Sequence, residues 1–216
     1  FLPTTHGTAS EVTMWATLWN IEEKKKYSIS HVDLYPSSAI LDPSLAITMP
    51  LEISIATTMD ALSHSLESIW NKNSNPKSTE YAKKSINLIL KNACRLASEP
   101  FNLKLRKKLL KASTLAGLAF SNTKTAAAHS ISYPLTLNFG IPHGIASSIT
   151  LIPLLEINKN SIQGELNDIC KINKITYDEL KFIIKNLTKP ISYRLSYWGV
   201  KKKNINQIVD ESFTKG

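Results

Sequence analysis

Asp60 and His64 stand four residues apart in a stretch of helical texture. One helical turn puts carboxylate and imidazole on the same face, about 6 Å apart along the axis, which suits a single divalent ion. Taken alone, such a pair is more often a hydrogen bond on a solvated face. Two further histidines change the weighing. His129 follows the small residues Ala126, Ala127 and Ala128, and His143 lies in Ile141-Pro142-His143-Gly144, where proline and glycine fix a turn into a helix. Singly, His129 reads as a satisfied core histidine and His143 as a helix-start residue. The chain has only five histidines, however, and three sit in these contexts. One carboxylate and three neutral imidazoles make a mixed oxygen and nitrogen set. It suits ferrous iron, zinc or a neighbouring first-row divalent ion, and ligand type does not choose among them. With one charged protein ligand such an ion keeps net positive charge, and an open coordination position lets it polarise a carbonyl oxygen as a Lewis acid. That chemistry matches hydride transfer to an aldehyde.

The elements that must position these groups follow from periodicity. From Val12 to about Asp42 the chain is rich in β-branched and aromatic residues broken by polar turns, which predicts short strands. After Pro50 the pattern changes: Tyr81, Ser85, Leu88, Ile89 and Ala93 recur every three or four residues and share one helical face. Helices are expected over 51–70, from Asn75-Pro76 onward, and over 103–120, 125–137, 143–155, 177–186 and 204–213. Asn75-Pro76, Pro142 and the pair Thr176 and Glu179, a capping box, mark helix starts. No internal repeat or low-complexity linker interrupts the chain, so the expected class is mainly α with a short β portion.

Composition bounds the rest. The 216 residues leave room for one large core or two unequal domains. No apolar run approaches the ~18 residues of a membrane span, so no membrane partner is expected. Cys94 and Cys170 have no zinc-type spacing and no secretory leader precedes them, which points to a reducing, cytoplasmic compartment. The net charge of +9 is compatible with nucleic acid, an acidic membrane surface or an anionic small molecule. The lysines are spread out, with short clusters at Lys24 to Lys26 and Lys201 to Lys203 and no interleaved aromatic platforms. A solvated lysine-rich surface comes first, an anionic small molecule second and nucleic acid last. Phe1-Leu2-Pro3-Thr4 reads like the interior of a polypeptide, and further sequence upstream is expected.

The run Pro3-Thr4-Thr5-His6-Gly7-Thr8-Ala9-Ser10-Glu11-Val12-Thr13 resembles the Pro-Thr-Thr-Ala-Gly-Thr-Gly-Ser-Glu-Val-Thr stretch of iron-containing (group III) alcohol dehydrogenases, with His6 and Ala9 as departures. Ile40-Leu41-Asp42-Pro43, the Met59 to Glu67 stretch, Ala116 to Asn122 and Pro142-His143-Gly144 are similar to that family's landmarks in the same order. The resemblance is strong to about residue 155 and weak beyond. It implies the dehydroquinate synthase-like, iron alcohol dehydrogenase fold: residues 1–45 as a remnant of the α/β nucleotide-binding domain, and 46–216 as the helical metal-binding domain. It implies Asp60, His64, His129 and His143 as metal ligands, with Fe2+ ahead of Zn2+. It also implies that Thr4, Thr5 and Thr8 line the phosphate and ribose region of NAD or NADP, with Lys26 near the nicotinamide ribose. From the residues alone, Thr4 to Thr8 is a turn before a strand and Lys26 is one of a solvated charge run.

Many members carry a second histidine four residues after the one matching His129, where this chain has Tyr133. Its hydroxyl offers a proton donor or relay, and an ordinary half-buried tyrosine is the competing reading. The stretch from Phe120 to Leu135, with Trp70-Asn71-Lys72-Asn73, looks most like the phosphonoacetaldehyde reductase branch, where Lys124 would be the counter-charge for an anionic substrate tail. The family's glycine-rich pyrophosphate loop has no counterpart here. The resemblance therefore implies a metal- and NAD(P)-dependent reductase of small aldehydes, with a homodimer as the default assembly. Two rivals stay open. A metal-dependent hydrolase or lyase would use the same ligands to activate water, but it lacks a positioned general base. The other is a truncated, inactive helical module.

Overall fold

A central helix holds the molecule together. In the computed structural model, which describes residues 1–23 and 25–213, α1 spans Leu51–Trp70 and is buried on every side from Thr58 to Ile69. So serine-rich a helix can be buried because its hydroxyls turn back onto its own carbonyls. Ser63 donates to Met59 O, Ser65 to Ala61 O and Ser68 to His64 O, at 2.9, 2.9 and 2.7 Å. Helices α2 (Pro76–Asn92) and α3 (Leu103–Thr123) pack on α1, with Leu62, Leu66, Ile86, Ile89 and Leu109 at the shared core. The start of α2 is the expected one: Asn75 accepts from Lys77 N and Ser78 N, with Pro76 in the first turn.

Next come α4 (Ala127–Phe139), the short α5 (His143–Ala146), α6 (Leu151–Asn158), α7 (Gln163–Asn173), α8 (Tyr177–Leu187) and α9 (Ile205–Ser212). Helices α7 and α8 extend the main core through Leu166, Ile169, Leu180 and Ile184. Leu135, Ile141, Ile145 and Ile208 form a second, smaller apolar cluster under α4, α5 and α9. The Thr176–Glu179 capping box opens α8 as expected. Helix α7 bears out the helical texture around Cys170, but its bounds are not legible in the sequence, because its buried residues are only Leu166 and Ile169 among polar neighbours, with Ile162 at the N-cap.

Two expectations need correction. The 12–42 region holds one antiparallel hairpin, β1 (Trp15–Asn20) and β2 (Lys25–Ser30), with Trp19 opposite Lys26. Beyond it the chain forms a 3-10 turn at Val32–Leu34 and, just past the region, another at Pro43–Ala46, because Pro36 and Pro43 cannot donate to a ladder and Asp42 caps the second turn through Ser44 N at 2.9 Å. The single helix expected over 143–155 is broken into α5 and α6. Pro153 lacks an N–H and would strand the carbonyl of Ile149 inside a continuous helix. Restarting at Leu151 puts Pro153 in the first turn, where no donor is required. Lys24 of the first lysine cluster, and Thr214 to Gly216 at the end of the 46–216 region, lie outside the described residues.

Gly144 sets how closely α5 approaches α1. A Cβ there would stand 2.1 Å from Ala56 O and 3.3 Å from Asp60 Cβ. Gly144→Ala therefore has to push α5, and with it His143, off α1. The expected cost is about 1–3 kcal/mol, visible in thermal denaturation as roughly 2–4 °C of Tm per kcal/mol. An unchanged Tm would contradict this packing.

Candidate metal centre

Asp60, His64 and Glu67 lie at positions i, i+4 and i+7 of α1 and so face the same way. Helix α4 crosses that face with His129, Ser132 and Tyr133, and α5 adds His143. Asp60 is the hub. Its Oδ1 lies 3.4 Å from His129 Nε2 and 3.9 Å from His143 Nε2, and its Oδ2 lies 4.0 Å from His64 Nδ1. Ligand atoms of Asp60, His64 and His129 all fall within 4.8 Å of one another. These three residues are buried, whereas the side chain of His143 is 32% exposed and forms the open edge.

The surrounding groups fix each ring. His64 stacks on both Phe120 and His129, with centroids 4.0 and 4.3 Å away, and Trp15 stacks on Phe120 in turn. Ser147 donates to Asp60 Oδ1 at 3.0 Å. Ser132 gives its proton to His129 O at 2.6 Å, so its oxygen is left to face His143 Nδ1 at 3.4 Å. Glu67 accepts from His129 Nδ1 and from the backbone N–H groups of Ala128 and His129.

Two ring atoms are left over. His64 Nδ1 and His129 Nε2 are buried without a hydrogen-bond partner among the described residues. An unpaired buried polar atom costs about 1–3 kcal/mol, yet both converge on one carboxylate. A cation between them would satisfy both nitrogens, and the one-oxygen, three-imidazole set is the kind that holds ferrous iron or zinc.

The charge states of Asp60, His64 and His143 suit a bound ion, whereas His129 must give up a proton to bind one. Burial pushes the Asp60 carboxyl up, but the imidazoles of His64, His129 and His143 overcome it and hold the group well below the usual carboxylate range. Burial lowers His64 to about 3, which keeps the neutral ring that a metal needs. Burial also opposes charge on His129, but the Glu67 and Asp60 carboxylates outweigh it and raise the ring to about 9. Burial lowers His143 as well.

The hairpin supplies the rim. Lys26 Nζ sits 3.5 Å from the centroid of the Tyr133 ring, and burial lowers this amine to about 8. Trp19, opposite Lys26 across the strands, packs 6.2 Å from Tyr133 and 5.9 Å from His143, centroid to centroid. The structure thus brings Lys26 and Tyr133 to the open edge of the cluster. Thr4, Thr5 and Thr8 stay in the N-terminal segment: Thr4 and Thr8 are exposed, Thr5 is half-buried, and Thr8 bonds Ser10. Lys124 is exposed at the α3–α4 turn, with φ 67° and ψ 177°. That backbone region is disfavoured for any residue but glycine. It is clamped by Asn71, which donates to the carbonyls of Lys124 and Thr125, and by Asn73, which donates to Thr123 O. Glu67, Ser132, Ser147 and Trp19 had no role in the sequence reading. For Glu67 a signal existed, since it continues the Asp60–His64 face by three residues.

Residues 54–216 match the model of the Fe-containing alcohol dehydrogenase family, C-terminal, and residues 1–43 match the iron-containing alcohol dehydrogenase model. The chain belongs to the iron-containing alcohol dehydrogenase family. Relatives in this family include the 1,3-propanediol dehydrogenase of Klebsiella pneumoniae, 36% identical over 169 residues, which are 78% of this chain and 44% of that protein. The phosphonoacetaldehyde reductase of Streptomyces viridochromogenes is 32% identical over 167 residues, 77% of this chain and 42% of that one. The chain thus spans less than half the length of these two relatives. Among solved iron-containing alcohol dehydrogenase structures, the sulfoacetaldehyde reductase from Bifidobacterium kashiwanohense in complex with NAD+ superposes with a TM-score of 0.90 and 34% identity, over 99% of this chain and 58% of that chain. A 1,3-propanediol oxidoreductase gives 0.91 and 30% over 100% and 59%. The mainly helical fold of this family is therefore the fold of this chain. No helix among the described residues is long and apolar enough to cross a membrane.

Proposed function

We propose that residues 46–216 are the metal-binding helical domain of an NAD(P)-dependent aldehyde reductase, with residues 1–45 belonging to its nucleotide-binding α/β domain. The observation that carries this reading is the pair of unpartnered imidazole nitrogens converging with Asp60 in a buried cluster. Asp60, His64, His129 and His143 would hold a divalent ion, Fe2+ first and Zn2+ second. When bound, the ion supplies a Lewis acid for the carbonyl oxygen, and the reduced nicotinamide supplies the hydride.

The chain's own residues do the rest. Trp19 and Tyr133, beside His143 at the open edge, offer aromatic faces against which the substrate can pack next to the ion. Burial pushes the Tyr133 phenol up, so its hydroxyl keeps its proton and can donate it to the product oxygen. Thr4, Thr5, Thr8 and Lys26 are assigned to the cofactor's phosphates and ribose. Two relatives are named for aldehydes that carry an anionic group. The substrate class assigned here is accordingly a small, anionic (phosphonate-bearing) aldehyde, with exposed Lys124 as its counter-charge. A cytoplasmic homodimer goes with this reading, and Cys94 and Cys170 are free thiols.

The test is elemental analysis of anaerobically purified full polypeptide carrying this chain, together with NAD(P)H-dependent reduction of propionaldehyde and phosphonoacetaldehyde. About one metal per chain with turnover supports the reading. A folded protein that takes up no metal after loading rejects it. Tyr133→Phe is expected to lower kcat by about 10²-fold, at the lower end for a positioned proton donor, with metal content unchanged. Wild-type kcat in this variant would return Tyr133 to a packing role.

A further inference from the structure

Glu67 is a carboxylate with no exposed surface, and among the described residues neither lysine nor arginine pairs with it. Burying such a charge is costly unless every lone pair is used. Its partners are all at one place. Oε1 accepts from Ala128 N at 2.6 Å and His129 N at 3.3 Å, and Oε2 accepts from His129 Nδ1. Helix α4 has no side-chain cap of its own, since its N-cap residue is Ala126. Glu67 caps that helix from α1 with one oxygen and holds the imidazole of its third residue with the other.

A neutral imidazole carries one N–H, and the nitrogen that donates to a carboxylate keeps it. With the proton on Nδ1, the lone pair of Nε2 is free and faces Asp60 Oδ1, 3.4 Å away. We propose that Glu67 is a positioning residue: it fixes the Nε2-ligating tautomer of His129 and thereby sets the affinity of the metal centre. The affinity part of this inference rests on the metal reading above. It does not extend to His143, whose Nδ1 faces the Ser132 hydroxyl.

Glu67→Gln separates positioning from capping. The amide oxygen can still accept from Ala128 N, but the amide NH2 then faces Nδ1, which must accept, and the imidazole proton moves to Nε2. The experiment measures Zn2+ affinity by chelator competition in wild type and Glu67→Gln. It also records 15N spectra of the histidine rings in the metal-free protein at pH 10, with far-UV circular dichroism to check folding. The expected result is a loss of Zn2+ affinity of about 10–100-fold with the helical signal retained, and a proton on Nδ1 in wild type that shifts to Nε2 in the variant. Affinity within twofold of wild type, or an Nε2 proton in wild type, overturns the proposal. If Glu67→Gln does not fold, the wild-type spectrum still decides the tautomer. A wild type that binds no Zn2+ but carries the Nδ1 proton overturns the metal reading and the affinity claim together, while the tautomer assignment stands on its own.

Discussion

Asp60→Asn is expected to lower affinity for Zn2+ or Fe2+ by about 10²- to 10³-fold, the equivalent of roughly 3–4 kcal/mol, within the range for breaking a buried charge pair, and to abolish the aldehyde reduction proposed for the full polypeptide. Among the described residues Asp60 is the one carboxylate that meets all three imidazoles, at 3.4, 3.9 and 4.0 Å. Glu67 cannot replace it, because both of its oxygens are committed on the Nδ1 side of His129. An Asn in the same place offers one neutral oxygen and an NH2 that competes for the ring nitrogens. Volume is unchanged and the core of α1, α2 and α3 is untouched, so circular dichroism should stay that of wild type. Isothermal titration with Zn2+ and elemental analysis read the outcome. Near-stoichiometric metal in the variant would show that the ion sits elsewhere.

The second large effect lies at the opposite end of α1. Arg106→Ala is expected to destabilise the fold by about 3–5 kcal/mol, because it opens a cavity and strands buried acceptors. The Arg106 side chain is fully buried, and among the described residues no carboxylate accepts from it. Its Nε donates to Pro100 O at 3.0 Å, one terminal nitrogen donates to Ser54 Oγ at 2.6 Å and His6 Nε2 at 3.1 Å, and the other donates to Met49 O at 3.0 Å. One guanidinium thus ties the N-terminal segment, the entry to α1 and the start of α3. Urea unfolding should show the loss, and Tm should fall by roughly 10 °C. A change under 1 kcal/mol would mean that water replaces these bonds at no cost.

The same contact makes stability depend on pH. Burial and the neighbouring Arg106 cation hold His6 neutral and lower it to about 4, against an ordinary value of 6.5. The unfolded chain therefore takes up the proton first as pH falls. Stability is full above about 6.5 and declines from there to pH 4. His6 alone should account for a loss of about 2 kcal/mol by pH 5 and about 3 kcal/mol by pH 4. Unfolding midpoints of wild type and His6→Gln, compared from pH 7 to pH 4, isolate this contribution; parallel curves would refute it.

Much of this was open to reading in the chain itself, because it depends on interactions a few residues long. The span of α1, the Asn75 and Thr176 caps, and the placing of Asp60 and His64 on one face all follow from periodicity and capping, which act over one or two turns. His129 and His143 were marked by their flanking small residues, proline and glycine. What stayed hidden depends on contacts distant in sequence. Glu67 meets the α4 N-terminus 61 and 62 residues away, and Arg106 meets His6 across 100. Lys26 reaches Tyr133 only because the hairpin lies over α4, and Lys124 stands exposed on a strained turn that Asn71 and Asn73 clamp from another helix end. The α5–α6 break is half-local: Pro153 forbids a continuous helix, but the closeness of Gly144 to Ala56 is a property of the packed pair. Residue types and short spacings thus determined which side chains could bind an ion. The crossing of α4 and α5 over α1 decided which nitrogens face Asp60 and which carboxylate holds the ring behind them, since hydrogen-bond direction is set by where two helices meet and not by either helix alone.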